Sequence, residues 1–238
     1  MTGVQTCALP ISASCAQAII AIMSQPEIPS ALEFLDAGSL ELIRAHHPHM
    51  LPDDTRAMLI IEVDGSQHEI AAAREAILPA CSNSGLLNAQ AVSDAKALWA
   101  ARKALAPLLR DIAPKKINED IVVPVSKLPE LLQGLSILSE KYKVTNVNFG
   151  HAGNGNIHVN LLVDPGDAEQ MRRAEICLSE VFNLVLRLNG TLSGEHGVGS
   201  EKRAFVAREI DAPTLALMQD IKRVFDPNNI LNPGKLFP

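Results

Sequence analysis

The sequence is short of aromatic side chains and of cysteine. Aromatics are 3% of its 238 residues, and the formal net charge is −6. A nucleic-acid-binding surface needs clustered positive charge, so this balance argues against one. The four cysteines, Cys7, Cys15, Cys81 and Cys177, are scattered and form no CxxC pair. That excludes a cysteine zinc site and a disulfide framework, and it suits a reducing compartment. No apolar run reaches the length of a membrane span. No basic segment opens the chain, which disfavours a signal peptide. The expectation is a cytoplasmic protein, or one held peripherally at a membrane through a partner. No HExxH pair and no Walker lysine are present. What the chain has is apolar content, 47% hydrophobic, enough for one large domain or two small ones with a real core.

The most informative stretch is Gly150-His151-Ala152-Gly153-Asn154-Gly155-Asn156-Ile157-His158-Val159-Asn160. Two apolar-rich runs, 144–151 and 156–163, flank Asn154-Gly155, a dipeptide that accepts positive φ at both central turn positions. A two-residue turn there predicts a β-hairpin that pairs 151 with 158. His151 and His158 then face each other, close enough to share a metal ion. Asn160 points to the same face, while Ile157, Val159, Leu161 and Val163 point to the other. One face is suited to chemistry and the other to a core.

A second polar cluster, Gly190 to Gly199, holds four glycines among Thr191, Ser193, Glu195 and His196. Such a run cannot be a helix interior. Its backbone can approach a ligand closely. Glu195 with the two hairpin histidines would make a His₂Glu set with an open position.

Elsewhere the pattern alternates. Helices are predicted over 13–23, 40–45, after Ser66 to about 78, after Ser93 through Trp99, Arg102 and Leu105, from Pro129 to 141, over 167–188, over 200–209 and over 213–224. Strands are predicted over 31–36, 57–63, 86–92 and 117–125. His46-His47-Pro48-His49 suits an exposed turn. The expected class is α+β, a largely antiparallel sheet backed by helices. Residues 1–12 look like the in-frame translation of a sequencing adapter and are set apart from the fold, which is expected over 13–238.

The hairpin motif, the Ser193-Gly-Glu-His-Gly-Val-Gly199 loop and the Asn232-Pro-Gly-Lys235 tail together resemble the C-terminal domain of the FAD-linked oxidases. That group, in the vanillyl-alcohol oxidase superfamily, includes D-lactate dehydrogenases, the glycolate oxidase D subunit and D-2-hydroxyglutarate dehydrogenase. The resemblance implies a ferredoxin-like substrate or cap domain. It also implies that an upstream FAD-binding domain, which carries most flavin contacts, is missing here.

Residue by residue, His151, His158 and Glu195 resemble the ligands of a divalent metal, zinc or else manganese or iron. His196 resembles the active-site base. Arg102, Lys116 and Asn160 resemble substrate-binding residues, and Asn232 and Lys235 fall where the tail nears the flavin. The family's hairpin tip usually reads Gly-Asp-Gly-Asn, whereas this chain has Asn154, which removes a carboxylate charge.

The implied reaction oxidises a small D-2-hydroxy acid, of lactate or glycolate type, to the 2-oxo acid, with an electron-acceptor subunit as a further partner. The fragment alone is expected to be inactive. The alternatives are a non-catalytic metal-binding or subunit-interaction module and, behind it, a metal hydrolase.

Overall fold

The computed structural model describes residues 2–9, 12–47, 54–82, 88–91 and 95–237. Pro48, His49 and Ser93 lie outside them. One seven-stranded sheet runs through the molecule in the order β4-β1-β3-β2-β6-β7-β5, with every pair antiparallel. The strands are β1 (Thr2–Leu9), β2 (Ala31–Leu35), β3 (Ala57–Asp64), β4 (Asn88–Ala91), β5 (Lys115–Val122), β6 (Thr145–His151) and β7 (Asn156–Val163). The main helices are α1 (Ser12–Met23), α2 (Ala37–His46), α3 (Gln67–Ser82), α4 (Ala95–Leu108), α5 (Leu128–Tyr142), α6 (Ala168–Arg187), α7 (Val206–Glu209) and α8 (Ala212–Phe225).

This order resolves into two copies of one motif. The first half runs β1-α1-β2-β3-α3-β4, with α2 inserted, and its strands lie 4-1-3-2 across the sheet. The second runs β5-α5-β6-β7-α6 and ends at Thr191, which bridges antiparallel to Val122 of β5. Taking Thr191 as the fourth strand position gives the same 4-1-3-2 arrangement. Each half is a ferredoxin-like βαββαβ unit. The two join where β2 pairs with β6, Glu33 opposite His151 and Leu35 opposite Phe149. The α+β, ferredoxin-like fold read from the sequence is the fold observed.

Alternation along the strands separates two cores. Ala57, Leu59, Ile61 and Val63 of β3, with Ile157, Val159, Leu161 and Val163 of β7, pack on one face with residues of α1, α3, α5 and α6. Met58 and Ile60 point the other way, with Leu35, Val147 and Phe149, onto Leu40 and Ile43 of α2 and Leu98 and Leu105 of α4. The second face is thus apolar under α2 and α4 and becomes polar toward β7 and β5.

Local signals account for several boundaries. Ser66 Oγ accepts from the Glu69 N–H at 3.3 Å, and Glu69 Oε2 accepts from the Ser66 N–H at 2.7 Å. This reciprocal capping box is worth about 1 kcal/mol. Asp167 caps α6 by accepting from the N–H groups of Glu169 and Gln170. The helix predicted over 200–209 is reduced to a 3₁₀ turn at Arg203–Phe205 and the single turn of α7. Residues 2–9, set apart in the sequence reading, run as a strand between β3 and β4, in register from Thr2 opposite Asp64 to Leu9 opposite Ala57.

The hairpin register differs from the predicted one. Phe149, not His151, lies opposite His158. A 3₁₀ turn over Ala152–Asn154 and Gly155 at φ 77° replace the two-residue turn and lengthen the loop. Asn154 Oδ1 accepts from the Asn156 N–H and closes this longer turn. The slip is two residues, and a two-residue slip preserves side-chain parity. Each side chain therefore keeps its predicted face.

Candidate active site

The polar end of the second face gathers residues from four places in the chain: Glu33 on β2, Arg102 on α4, the hairpin histidines, and the loop after α6. The ring centroids of His151 and His158 are 5.5 Å apart, nearly perpendicular. Glu195 Oε1 lies 3.6 Å from His151 Nε2 and 3.4 Å from His158 Nε2. One donor atom from each of the three residues falls within 4.8 Å of the others. The His196 ring stacks on His158 at 5.3 Å and 15°.

These separations suit a metal ion. Ligand bonds of about 2.0–2.2 Å in a tetrahedral shell put neighbouring donor atoms roughly 3.4 Å apart. The two His–Glu separations match that edge, and both are too long for good hydrogen bonds. His158 is buried, and its Nδ1 has no hydrogen-bond partner among the described residues. Burial, then the neighbouring His151, lowers the His158 pKa to about 4, so its ring is neutral and able to ligate. His151 is held differently. Its Nδ1 makes a very short contact with Glu33 Oε1, and that hydrogen bond raises its pKa. A carboxylate behind a ligating histidine fixes its ring and increases its basicity.

Glu33 also holds Arg102. Its Oε2 accepts from Arg102 Nε at 2.8 Å and lies 2.7 Å from Nη2. Burial opposes ionisation of Glu33, but the His151 and Arg102 contacts outweigh it and its pKa falls below the ordinary value. The guanidinium lies 4.6 Å from the Phe149 ring centroid. One edge of the fork is therefore occupied, and Nη1 has no hydrogen-bond partner among the described residues, which leaves it a donor for a second carboxylate.

The other expected contact residues have partners within the protein or lie in the tail. Asn160 is fully buried; its Oδ1 accepts from Asn118 and its Nδ2 donates to the Val147 carbonyl. It ties β5, β7 and β6 together. Lys116 donates to the Ala106 carbonyl and stands four residues along β5 from Asp120, roughly 13 Å away. Asn232 and Lys235 are exposed in the tail, and Lys235 lines a cavity of about 340 Å³ together with Lys222, Arg223 and Asp226. The tail reaches back to the Gly-rich loop, where the Leu236 N–H donates to the Gly199 carbonyl and Arg203 donates to the Gly234 carbonyl.

Sequence reasoning passed over three residues here: Glu33, Asp120 and Lys202. Asp120 is fully buried and accepts from the backbone N–H groups of Glu195 at 2.5 Å and His196 at 2.8 Å. Lys202, also buried, closes on its Oδ1. Burial works against the Asp120 charge, but Lys202 and the two N–H donors hold its pKa at about 2. A buried charged residue on a strand was the available signal, and it attracts notice only once its partner 82 positions away is known.

The fold recurs in solved structures. The chain superposes on p-cresol methylhydroxylase with a TM-score of 0.77 at 16% identity, covering 99% of this chain and 52% of that one. On 4-ethylphenol oxidase from Gulosibacter chungangensis the TM-score is 0.69 at 15% identity, covering 100% and 54%. These likenesses define the fold. The chain belongs to the family described as FAD linked oxidases, C-terminal domain, whose profile matches residues 3–236.

Curated relatives agree. The chain is 34% identical over 225 residues to glycolate oxidase subunit GlcD of Bacillus subtilis, covering 93% of this chain and 48% of that protein. It is 30% identical to a mitochondrial D-lactate dehydrogenase [cytochrome] of Arabidopsis thaliana, covering 99% and 42%. It is 30% identical to D-2-hydroxyglutarate dehydrogenase of Stutzerimonas stutzeri, covering 87% and 47%. The chain thus spans about half the length of these relatives. No described helix is long and apolar enough to cross a membrane.

Proposed function

We propose that this chain is the substrate-binding half of an FAD-dependent dehydrogenase that converts a small D-2-hydroxy acid, of lactate or glycolate type, to the 2-oxo acid. The observation that carries the reading is the convergence of His151, His158 and Glu195 within 4.8 Å, beside an arginine with a free fork edge, in a chain of this family. His151, His158 and Glu195 would hold a divalent ion, zinc or else manganese or iron. The flavin is held mainly by the other half of the parent protein, with Asn232 and Lys235 adding contacts from the exposed tail. A bound ion would supply Lewis acidity toward a substrate hydroxyl, and a flavin would supply the hydride acceptor.

The chain's own groups do the rest. The Nη1 edge of Arg102 takes the substrate carboxylate, and Glu33 fixes its angle. His196 takes the hydroxyl proton on Nε2, the nitrogen turned away from Asp120. The α2–α4 core behind Phe149 keeps water from one side. Alone, the chain has no turnover, and electrons leave the parent through a separate acceptor.

Two measurements test this. Zinc or cobalt titrated into the chain should bind at one site, and binding should be lost in His158→Ala. Joined behind the FAD-binding half of the Bacillus subtilis relative, the chain should reduce a dye when given D-lactate or glycolate. Metal binding without turnover in a flavin-loaded fusion would leave a metal-binding module and remove the dehydrogenase.

A further inference from the structure

We infer that Asp120, neutralised by Lys202, is the positioning residue that sets Glu195 and His196 at the site. The Glu195 and His196 side chains are about half exposed and meet the rest of the site only at 3.4–3.8 Å. Among the described residues, no hydrogen bond from either side chain fixes them. Their backbone is pinned, and by one residue. Asp120 Oδ2 takes both N–H groups, and the Asp120 carbonyl takes the Gly194 N–H at 3.1 Å. Three successive peptide groups therefore hang on one strand residue. His196 Nδ1 also faces Asp120 Oδ1 at 3.6 Å, and its Nε2 lies on the Glu195 side, 3.8 Å from Oε1.

A lone buried carboxylate would be expensive to ionise. Lys202 meets that cost: its Nζ reaches Asp120 Oδ1, the Asp120 carbonyl at 3.2 Å and Glu119 Oε2 at 3.4 Å. Lys202 follows the same loop in sequence, so the clamp closes both ends of the Gly-rich segment onto β5. Asp120 lies directly across from His158 in the β5–β7 pairing. The strand position that faces one proposed ligand thus carries the group that places the other. The clamp stands on this geometry alone; its consequence for metal and substrate rests on the reading above.

The test measures backbone amide exchange in Asp120→Asn and in Asp120→Asn/Lys202→Gln, alongside cobalt affinity. In Asp120→Asn the amides of Glu195 and His196 should exchange roughly tenfold to a hundredfold faster, as expected for loss of hydrogen bonds to a charged acceptor. The Val159 and Leu161 amides should not change, and the cobalt dissociation constant should rise at least about tenfold. Unchanged exchange at 195 and 196 would overturn the clamp. Faster exchange with unchanged cobalt affinity would overturn its positioning role. If the single variant loosens the whole sheet, the double variant removes the stranded lysine charge and should restore the strand amides while the loop stays fast. Restored loop protection there would show that the carboxylate is not needed. A wild-type chain that binds no cobalt would refute the metal reading, and the exchange result would still decide the clamp.

Discussion

Glu33 lies directly opposite His151 where the two ferredoxin-like units meet, and its carboxylate bonds the His151 ring. The same carboxylate grips Arg102. A residue of the first unit thus orients one proposed ligand of the second and the proposed substrate arginine together.

Glu33→Gln keeps the volume and removes the charge. Zinc affinity should fall about tenfold to a hundredfold, as when a carboxylate behind a ligating histidine is lost. Because Glu33 and Arg102 are both largely buried, the variant should also lose about 3 kcal/mol of stability. Metal titration and urea unfolding read the two effects separately. An unchanged metal affinity with lower stability would reduce Glu33 to an arginine partner.

Two glycines with nearly equal φ make a controlled pair. Gly155 sits at φ 77° and Gly197 at φ 75°. A Cβ on Gly155 would lie 1.9 Å from the Val123 carbonyl oxygen, whereas one on Gly197 would meet nothing within 4 Å. Gly197→Ala should cost only the left-handed backbone term, about 1–2 kcal/mol. Gly155→Ala adds a backbone clash next to the hairpin and should cost at least about 2 kcal/mol more. Urea midpoints of the two variants give the comparison.

The hairpin shows how the sequence carried part of this fold. The faces of His151, His158 and Asn160 were legible because parity survives a two-residue slip. The register was not, since Asn154-Gly155 suits both a two-residue turn and the 3₁₀ turn that formed. Glu195 was legible from its loop composition. Glu33, Asp120 and Lys202 were not, because their roles come from partners up to 118 positions away. The two-unit architecture was hidden for a related reason. The units repeat a strand order, while α2 sits in the first unit alone and the last strand of the second shrinks to a single bridge at Thr191.

The buried thiols give a probe that needs neither metal nor flavin. Cys15, Cys81 and Cys177 are buried. Burial pushes the Cys177 thiol to about 11 and the Cys15 thiol well up. The reactive species is the thiolate. At pH 8 a thiol of that pKa is ionised in roughly one molecule in a thousand. In a Cys7→Ser background, iodoacetamide at pH 8 should label almost nothing in the folded chain and three thiols after urea. Labelling should speed up as pH rises. Rapid labelling of folded Cys177 at pH 8 would contradict its packing under Leu138.

The C-terminal helix leads to the last expectation. On α8, Leu217, Ile221, Val224 and Phe225 are 59%, 50%, 77% and 80% exposed, and Leu215 is its buried apolar residue. Positions 217, 221, 224 and 225 recur at the i, i+4, i+7, i+8 spacing of a single helical face. Ile230 and Leu231 extend the apolar surface into the tail. A continuous patch of this kind drives association when it has no cover. Light scattering of the isolated chain should therefore rise with concentration at micromolar levels. Val224→Asp with Phe225→Ser should suppress it without lowering the unfolding free energy, read by urea titration, by more than about 0.5 kcal/mol, since neither side chain supports the core. Equal scattering from both proteins would place the sticky surface elsewhere, and a large loss of stability would mean that α8 is packed more firmly than its exposure indicates.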